Sequence, residues 1–185
     1  VLNDEQKNAL ENLISSGNKF NVSVLQGITG SGKTLVYFER INRLIQENKQ
    51  ALILIPEIFL TTQFKNRFKL FFGFEPAIWH SKIGINKKKN IWLSVAKNKI
   101  KIVLGARSAL FLPFKKLGLI VVDEEHDSSY KQEDSVIYNA RDMAISRAQI
   151  ENIPIHLITS IPSLETYRNI EIKKYTKTEL RNRFE

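Results

Sequence analysis

The chain contains no cysteine among its 185 residues. This excludes disulfides and thiolate metal sites within the segment. It also has no apolar run close to the roughly 20 residues that a membrane-spanning helix requires. The opening residues, VLNDEQKNAL, have none of the features of a signal peptide. We therefore expect no membrane partner and a cytoplasmic location.

The composition that remains is typical of a globular domain. Hydrophobic residues make up 43% of the chain and charged residues 25%, and the length suggests one domain with a sizeable core. The net charge of +9 is explained either by a polyanionic partner or by an ordinary basic surface. The run Lys87–Lys89 is most simply a solvated helix start.

The fold class follows from short apolar runs that alternate with longer amphipathic segments. The predicted strands are Val22–Gln26, Ala51–Ile55, Ala77–His80, Ile102–Gly105, Leu119–Val122 and Ile155–Thr159. The predicted helices are Lys33–Glu47, Phe59–Phe72, Lys88–Asn98, Asn139–Ile150 and Pro162–Ile170. Strands rich in Val, Ile and Leu without alternation are typical of a sheet buried on both faces. The sequence therefore predicts an α/β fold, a mostly parallel sheet with helices on both faces.

A phosphate-binding loop lies between the first predicted strand and the first predicted helix. The segment GITGSGKT, residues 27–34, fits the pattern G-x-x-x-x-G-K-[ST] at every fixed position. We expect its backbone N–H groups and the helix N-terminus to surround phosphate oxygens. Lys33 would reach the β and γ phosphates of a nucleoside triphosphate, and the Thr34 hydroxyl would ligate Mg²⁺. The residues predicted to bind the nucleotide are Gly27, Thr29, Gly30, Ser31, Gly32, Lys33 and Thr34.

An acidic segment, LIVVDEEH, ends another predicted strand. A phosphate-binding loop needs a carboxylate at a neighbouring strand end to hold the metal, and a group that orients the attacking water. Asp123 is predicted to serve Mg²⁺ and Glu124 to polarise the water. Kinases, GTPases and helicase motors all use such a pair of motifs.

The segments around the acidic box make the prediction more specific. D-E-x-H is the box of superfamily 2 helicases, and with DSSYKQ and YNARDMAISRA it resembles the bacterial replication-restart helicases, the primosomal protein N′ family. LNDEQ, GITGSGKT, LIPEIFLT, IWHS, GARSALFLPF and IPSLET resemble further motifs of that family. The resemblance implies a RecA-like lobe that binds ATP and Mg²⁺, in which Gln6 contacts adenine and His126 links the nucleotide to the third motif.

The resemblance also implies a DNA-binding edge, because segments that follow strand ends lie together at one edge of a parallel sheet. The residues at such positions are Pro56, Glu57, Thr61, His80, Ser81, Gly105, Arg107 and Ser108. On the sequence alone, an ordinary strand-end turn would explain Gly105–Arg107, and a surface histidine paired with the backbone would explain His80. Four further residues, Tyr130, Lys131, Tyr138 and Arg141, lie in an aromatic-rich segment that could bind bases and phosphates and couple DNA to ATP hydrolysis. The alternative is a surface loop fixed by two buried tyrosines.

Two departures from the family pattern affect this prediction. Ser160–Ile161 replaces an Ala-Thr pair in the third motif, so a hydroxyl that faces the acidic box is lost unless Ser160 or Thr159 substitutes for it. Val136–Ile137 stands where the family often has an arginine before the tyrosine.

Residues 1–172 are predicted to form the first helicase lobe, and residues 173–185 a tail or linker toward a second lobe. The resemblance implies that the full protein unwinds single-stranded and forked DNA with other primosome and replication proteins, and that zinc is bound outside this segment. We expect the isolated lobe to hydrolyse ATP poorly. Two alternatives are another superfamily 2 translocase and a nucleic-acid-binding module with a relic phosphate loop.

Overall fold

The computed structural model describes residues 2–133 and 138–183. Within them a seven-stranded parallel sheet has the order β3-β4-β2-β5-β8-β1-β9, and β6 and β7 form a separate antiparallel pair. The strands are β1 Val22–Gly27, β2 Gln50–Leu54, β3 Ala77–Trp79, β4 Ile102–Gly105, β5 Leu117–Val122, β6 Lys131–Gln132, β7 Tyr138–Asn139, β8 Ile155–Thr159 and β9 Thr176–Leu180. The central strands are buried on both faces, as their Val-, Ile- and Leu-rich sequences require.

Helices cover both faces of the sheet. The helices are α1 Asp4–Ser15, α2 Lys33–Gln46, α3 Thr62–Phe72, α4 Ile85–Ala96, α5 Ala140–Ile150 and α6 Leu164–Glu171. One apolar core packs α1, α2 and α3 against the sheet, and a second packs α4 and α5 against the other face. The α/β prediction is therefore confirmed.

Local signals set the ends of several helices. The Thr61 hydroxyl accepts a hydrogen bond from the Phe64 N–H and begins α3, and Gly73 ends α3 in the left-handed conformation with a φ of 78°. The side chains of Asn139 and Ser163 begin α5 and α6 in the same way. These caps fix where the chain leaves the functional edge of the sheet.

Helix α1 and strand β9 were not predicted from the sequence, and neither was the short pair of β6 and β7. Helix α1 begins with a capping box, in which Asn3 and Gln6 each bind the other's backbone N–H at 2.9 and 3.0 Å. Strand β9 lies within the segment predicted to be a tail or linker, and it pairs with β1 at the sheet edge. Its sequence, TKTEL, lacks an apolar run because an edge strand has less of its surface buried. The boundary of the lobe at residue 172 stays a prediction.

The parallel strands bring six motifs to one edge of the sheet. The carboxyl ends of β1, β2, β3, β4, β5 and β8 lead into the phosphate loop, LIPE, WHS, GARS, DEEH and TSIP segments respectively. Because ligand sites of open parallel sheets form at this edge, the fold places all the sequence motifs around one functional region.

The close packing of Gly105 at this edge leads to a stability prediction. A Cβ atom at Gly105 would lie 2.1 Å from the Ala109 Cβ and 3.1 Å from the Trp79 carbonyl oxygen. We expect Gly105→Ser to lower the free energy of unfolding by about 1–3 kcal/mol through overpacking, measured by urea denaturation. Gly84→Ser is the matched control, because a Cβ at Gly84 meets nothing within 4 Å and serine is favoured at that N-cap position. Equal stability of both variants would contradict the prediction.

Candidate nucleotide site and nucleic-acid groove

The phosphate loop connects β1 to α2 in the conformation that the sequence predicts. Gly30 and Gly32 have φ angles of 83° and 84°, in the left-handed region where a side chain would be strained. Gly27 allows a close approach, because a Cβ there would lie 2.5 Å from the Ser31 Oγ. Gly32 immediately precedes the first turn of α2, so that turn has free N–H groups that face the loop.

The polar groups of the loop fit a bound phosphate. The Lys33 Nζ donates to the carbonyl oxygens of Gly27 and Ile28 at 2.7 and 3.1 Å, within the loop itself. Burial lowers the pKa of Lys33, and Glu124 and Asp123 act against this shift. The Ser31 Oγ is buried without a hydrogen-bond partner in the described residues. An anion in the loop would give both groups stronger partners.

Asp123 directly follows β5, and hydrogen bonds hold both its backbone N–H and its carboxylate. Its N–H donates to the Leu54 carbonyl at 2.9 Å, the Tyr37 hydroxyl donates to its Oδ2 at 2.8 Å, and the Glu124 N–H donates to its Oδ1 at 3.0 Å. Burial raises the pKa of Asp123 to about 6, although the Tyr37 hydrogen bond lowers it. A divalent cation would favour the charged form of the carboxylate, so the site fits the predicted magnesium ligand.

Glu124 adopts a left-handed backbone conformation, with a φ of 49°. Such a conformation is rare for a residue with a side chain and is concentrated at functional sites. The turn places the Glu124 carboxylate beside Asp123 and Thr34 in one cavity of about 280 Å³. The predicted metal ligands and the predicted water-orienting group therefore lie together.

The same cavity contains residues that the sequence analysis missed. Gln63 and Arg67 come from α3, four residues apart, and line the wall beside Thr34 and the two acids. Their signal was the i, i+4 spacing of polar residues in TTQFKNRF, which places both on one side of the helix. Tyr37 was also missed, because an aromatic residue within an apolar helix pattern is indistinguishable from a core residue.

Gln6 contacts the phosphate loop. Its Nε2 donates to the Ser31 carbonyl at 3.0 Å, its Oε1 accepts from the Asn3 N–H, and its side chain is fully buried. In this arrangement Gln6 fixes α1 against the loop. Its contact with adenine stays a prediction.

The third motif contacts the acidic box through a residue that the sequence analysis considered. The His126 Nδ1 lies 2.8 Å from the Thr159 Oγ1, and Thr159 donates to the Ile161 carbonyl at 2.7 Å. The His126 Nε2 lies 3.6 Å from the Glu124 Oε2. Thr159 therefore supplies the hydroxyl that Ile161 lacks, and His126 contacts both Glu124 and the third motif.

Glu125 is the centre of a buried polar network. It is 1% exposed, and Arg141 NH1 lies 3.2 Å from its Oε2. The Ser163 N–H donates to Oε1 at 2.7 Å, and the Ser163 and Thr166 hydroxyls donate to Oε2 at 3.1 and 2.9 Å. Arg141 was predicted to contact DNA, but its guanidinium is buried against Glu125 and Ser163, so we correct that prediction to a structural role.

A groove of about 350 Å³ lies where the chain leaves the carboxyl ends of β2 and β4. Among the residues predicted to bind DNA, Pro56, Glu57, Ser81 and Arg107 line it. Arg107 NH1 donates to the Lys131 carbonyl at 3.0 Å, which fixes the aromatic-rich segment against the groove. These four positions form one continuous surface, as the sequence predicts.

The aromatic-rich segment is placed differently from the prediction. Tyr130 borders the groove but is only 1% exposed, and its hydroxyl donates to the carbonyls of Leu54 and Asp123 at 3.0 and 2.5 Å. A ring so buried cannot stack on a base, so the prediction for Tyr130 is corrected. Tyr138 is half-buried against Phe111, and the Lys131 ammonium pairs with Glu133 at 3.0 Å. Val136–Ile137, the second departure, lies outside the described residues.

The remaining predicted DNA contacts lie near the groove without lining it. The His80 Nδ1 accepts a hydrogen bond from the Lys82 N–H at 3.2 Å. Ser108 is exposed in the short 3₁₀ helix Arg107–Phe111. Gly105 is buried, and close packing explains its lack of a side chain.

Comparison with known proteins identifies the family. The family described as "Type III restriction enzyme, res subunit" matches residues 1–180. The chain belongs to this family.

Curated relatives confirm the resemblance to the replication-restart helicases. The chain is 50% identical over 183 residues to "Replication restart protein PriA" of Rickettsia felis. The aligned residues make up 99% of this chain and 28% of the relative. It is 40% identical over 184 residues to the protein of the same name from Bacillus subtilis. That alignment covers 98% of this chain and 23% of the relative. The chain thus spans about a quarter of the length of these relatives.

Solved structures confirm the RecA-like fold. The DUF1998 helicase MrfA bound to DNA matches with a TM-score of 0.66 and 17% identity, over 98% of this chain and 26% of that one. The Pyrococcus furiosus Hef helicase domain matches with a TM-score of 0.64 and 17% identity, over 94% of this chain and 38% of that one.

No helix in residues 2–133 and 138–183 combines the length and apolar character needed to cross a membrane. Across the same residues, no group of three or more His, Asp or Glu side chains is arranged to hold a metal ion. A magnesium ion held by Asp123 and Thr34 would take its other ligands from phosphate oxygens and water, as is usual for this metal.

The hydrogen bond between Tyr37 and Asp123 leads to a prediction about metal binding. Tyr37→Phe removes the donor that orients the buried carboxylate, and loss of such an outer partner typically weakens metal binding about 10- to 100-fold. We expect the affinity for ATP in the presence of Mg²⁺ to fall by about tenfold, measured by titration of a fluorescent ATP analogue. When EDTA removes the Mg²⁺, the affinity for ATP should change less.

Tyr175→Phe is the matched control, because Tyr175 is half-buried and has no side-chain hydrogen bond in the described residues. Equal losses of affinity with and without Mg²⁺ in Tyr37→Phe would contradict the assignment and indicate general damage to the loop.

Proposed function

We propose that this chain is the ATP-binding lobe of an ATP-dependent DNA helicase of replication restart, which couples ATP hydrolysis to translocation on DNA and unwinding. The observation that carries the proposal is the position of Tyr130. Its ring borders the groove of Pro56 and Arg107, and its hydroxyl binds the carbonyl of Asp123, the predicted metal ligand. One buried side chain therefore contacts both predicted sites.

Each residue of the nucleotide site has a definite role in this proposal. Lys33 and the N–H groups of residues 30–34 bind the phosphates, and Thr34 and Asp123 hold Mg²⁺. The bound metal would neutralise charge that develops on the phosphates. Glu124 orients and polarises the attacking water, and its contact with His126 fixes the carboxylate.

The groove would bind the phosphate backbone of single-stranded DNA. Arg107 supplies the positive charge, and Ser81 and the backbone at Pro56–Glu57 supply polar groups. Movement of Arg107 upon DNA binding would shift the Lys131 carbonyl that it contacts, and through Tyr130 the end of β5. This is the coupling that the proposal assigns to the aromatic-rich segment.

The full protein is proposed to contain further parts. A second RecA-like lobe would complete the ATP site, a zinc-binding region would lie outside this segment, and the protein would work with primosome partners at forked DNA in the cytoplasm. The relatives named PriA, which are several times longer than this chain, support these proposals. The 185-residue chain alone is expected to bind ATP weakly and to hydrolyse it poorly.

The proposal predicts the effect of Lys33→Ala in the full-length protein. Loss of the phosphate-binding ammonium should reduce DNA-stimulated ATP hydrolysis by at least about 100-fold, because this charge acts on the transferring phosphoryl group. The rate is measured with and without single-stranded DNA, with Lys19→Ala as an exposed lysine control. Equal rates for Lys33→Ala and the wild-type protein would favour the module with a relic phosphate loop.

A second candidate function is another superfamily 2 translocase, which the family match to the type III restriction enzyme subunit favours. The two candidates differ in their preferred DNA. A replication-restart helicase should unwind forked DNA in preference to duplexes with blunt ends. No preference for forks would support the second candidate.

A further inference from the structure

The positive charge of the chain is concentrated in one segment. Between Pro76 and Val122 the sequence contains ten of the 28 Lys and Arg residues and none of the 19 Asp and Glu residues. The rest of the chain has 18 basic and 19 acidic residues, so this segment accounts for the whole net charge of +9. The charge therefore needs a local explanation.

Helix α4 presents part of this charge together with exposed apolar side chains. Lys89 lies four residues after Ile85 and three before Trp92, so the three side chains share one face of the helix. Ile85 is 79% exposed, Trp92 is 46% exposed, and the neighbouring Leu93 is 38% exposed. Tryptophan and isoleucine this exposed beside lysine do not belong to the core.

The lysines of α4 are available for a partner. Lys87 and Lys89 are exposed, and neither forms an ion pair or a side-chain hydrogen bond within residues 2–133 and 138–183. Since the segment contains no acidic residue, no neighbour in sequence neutralises them. A polyanion is the partner that such a surface complements.

The face of α4 is continuous with the groove. The Lys88 Nζ donates to the Ser81 carbonyl at 2.9 Å, and Ser81 lines the groove together with Arg107. From Ile85 to Trp92 the helix extends for about 10 Å, at 1.5 Å per residue. A strand that leaves the groove past Ser81 would reach the first turns of α4.

We propose that the exposed face of α4, formed by Ile85, Lys89 and Trp92, is a second binding site for single-stranded DNA, where Lys89 contacts a phosphate and Trp92 stacks on a base. Single-stranded DNA fits better than duplex DNA or an acidic protein, because an exposed indole beside a cation can stack on unpaired bases. The inference rests on the proposed DNA function and extends the groove beyond the predicted motifs.

The test measures the binding of a fluorescently labelled oligothymidylate of about 20 nucleotides by anisotropy at several salt concentrations, since single-stranded sites extend over about 4–16 nucleotides. Trp92→Ala should weaken binding at least about fivefold, the smallest effect expected for loss of base stacking. The variant Lys89→Ala should reduce the slope of log affinity against log salt by about 0.7, the contribution of one phosphate contact on a single strand.

Two matched controls test whether the effects are local. Lys19→Ala/Lys174→Ala removes two exposed lysines that precede β1 and β9, at the opposite edge of the sheet, and Tyr167→Ala removes an exposed aromatic side chain from α6. Both controls should bind as the wild-type chain does. Thermal unfolding of each variant checks that the fold is retained.

The possible results separate the inference from the proposed function. If Arg107→Ala weakens binding but the α4 variants match their controls, the inference about α4 is wrong. The groove is then still supported as the binding site for single-stranded DNA. If no oligothymidylate binds at low salt, both proposals fail. If polyglutamate displaces the oligothymidylate and Trp92→Ala has no effect, the surface binds an acidic protein, which also overturns the inference.

Discussion

Hydrogen bonds to the buried carboxylate of Glu125 hold together much of the functional edge of the sheet. A charge with 1% exposure is costly unless it is paired and fully hydrogen-bonded. Its partners come from the start of α5, through Arg141, and from the loop and first turn of α6, through Ser163 and Thr166. The acidic box, the aromatic-rich segment and the third motif therefore cannot move independently without breaking this network.

The same turn is fixed from the nucleotide side and from the groove side. Tyr37 holds the Asp123 carboxylate, and Tyr130 holds the backbone carbonyl of the same residue. His126 joins Glu124 to Thr159. Because these contacts are buried or half-buried, their electrostatic strength is greater than in water, and a displacement at one of them acts on the others. This arrangement is the physical basis for the proposed coupling of DNA binding to ATP hydrolysis.

The sequence predicted the fold and the chemical motifs because both depend on local patterns. Strands buried on both faces appear as apolar runs, and the phosphate loop has fixed glycine and lysine positions. The edge strand β9 could not be predicted, because TKTEL has no apolar run and its pairing with β1 is a long-range contact.

The predictions for Tyr130 and Arg141 were wrong for a different reason. Tyr130 and Arg141 have the residue types of a nucleic-acid surface, but their burial depends on partners at Leu54 and Glu125 that are distant in sequence. Thr159 was correctly considered as a substitute hydroxyl, because it lies beside the altered position in sequence. The exposed apolar side chains beside the lysines of α4 could not be recognised from the motifs, since a lysine run is also typical of a solvated helix.

The central claim is that Tyr130 connects the groove to the acidic box, and Tyr130→Phe in the full-length protein tests it most directly. The measurement is the ratio of the ATP hydrolysis rate with saturating single-stranded DNA to the rate without DNA. The matched control is Tyr175→Phe, because Tyr175 is half-buried and its hydroxyl forms no hydrogen bond in the described residues. The account predicts that Tyr130→Phe retains the DNA-independent rate and loses about fivefold or more of the stimulation. An unchanged ratio in a folded Tyr130→Phe protein would contradict it.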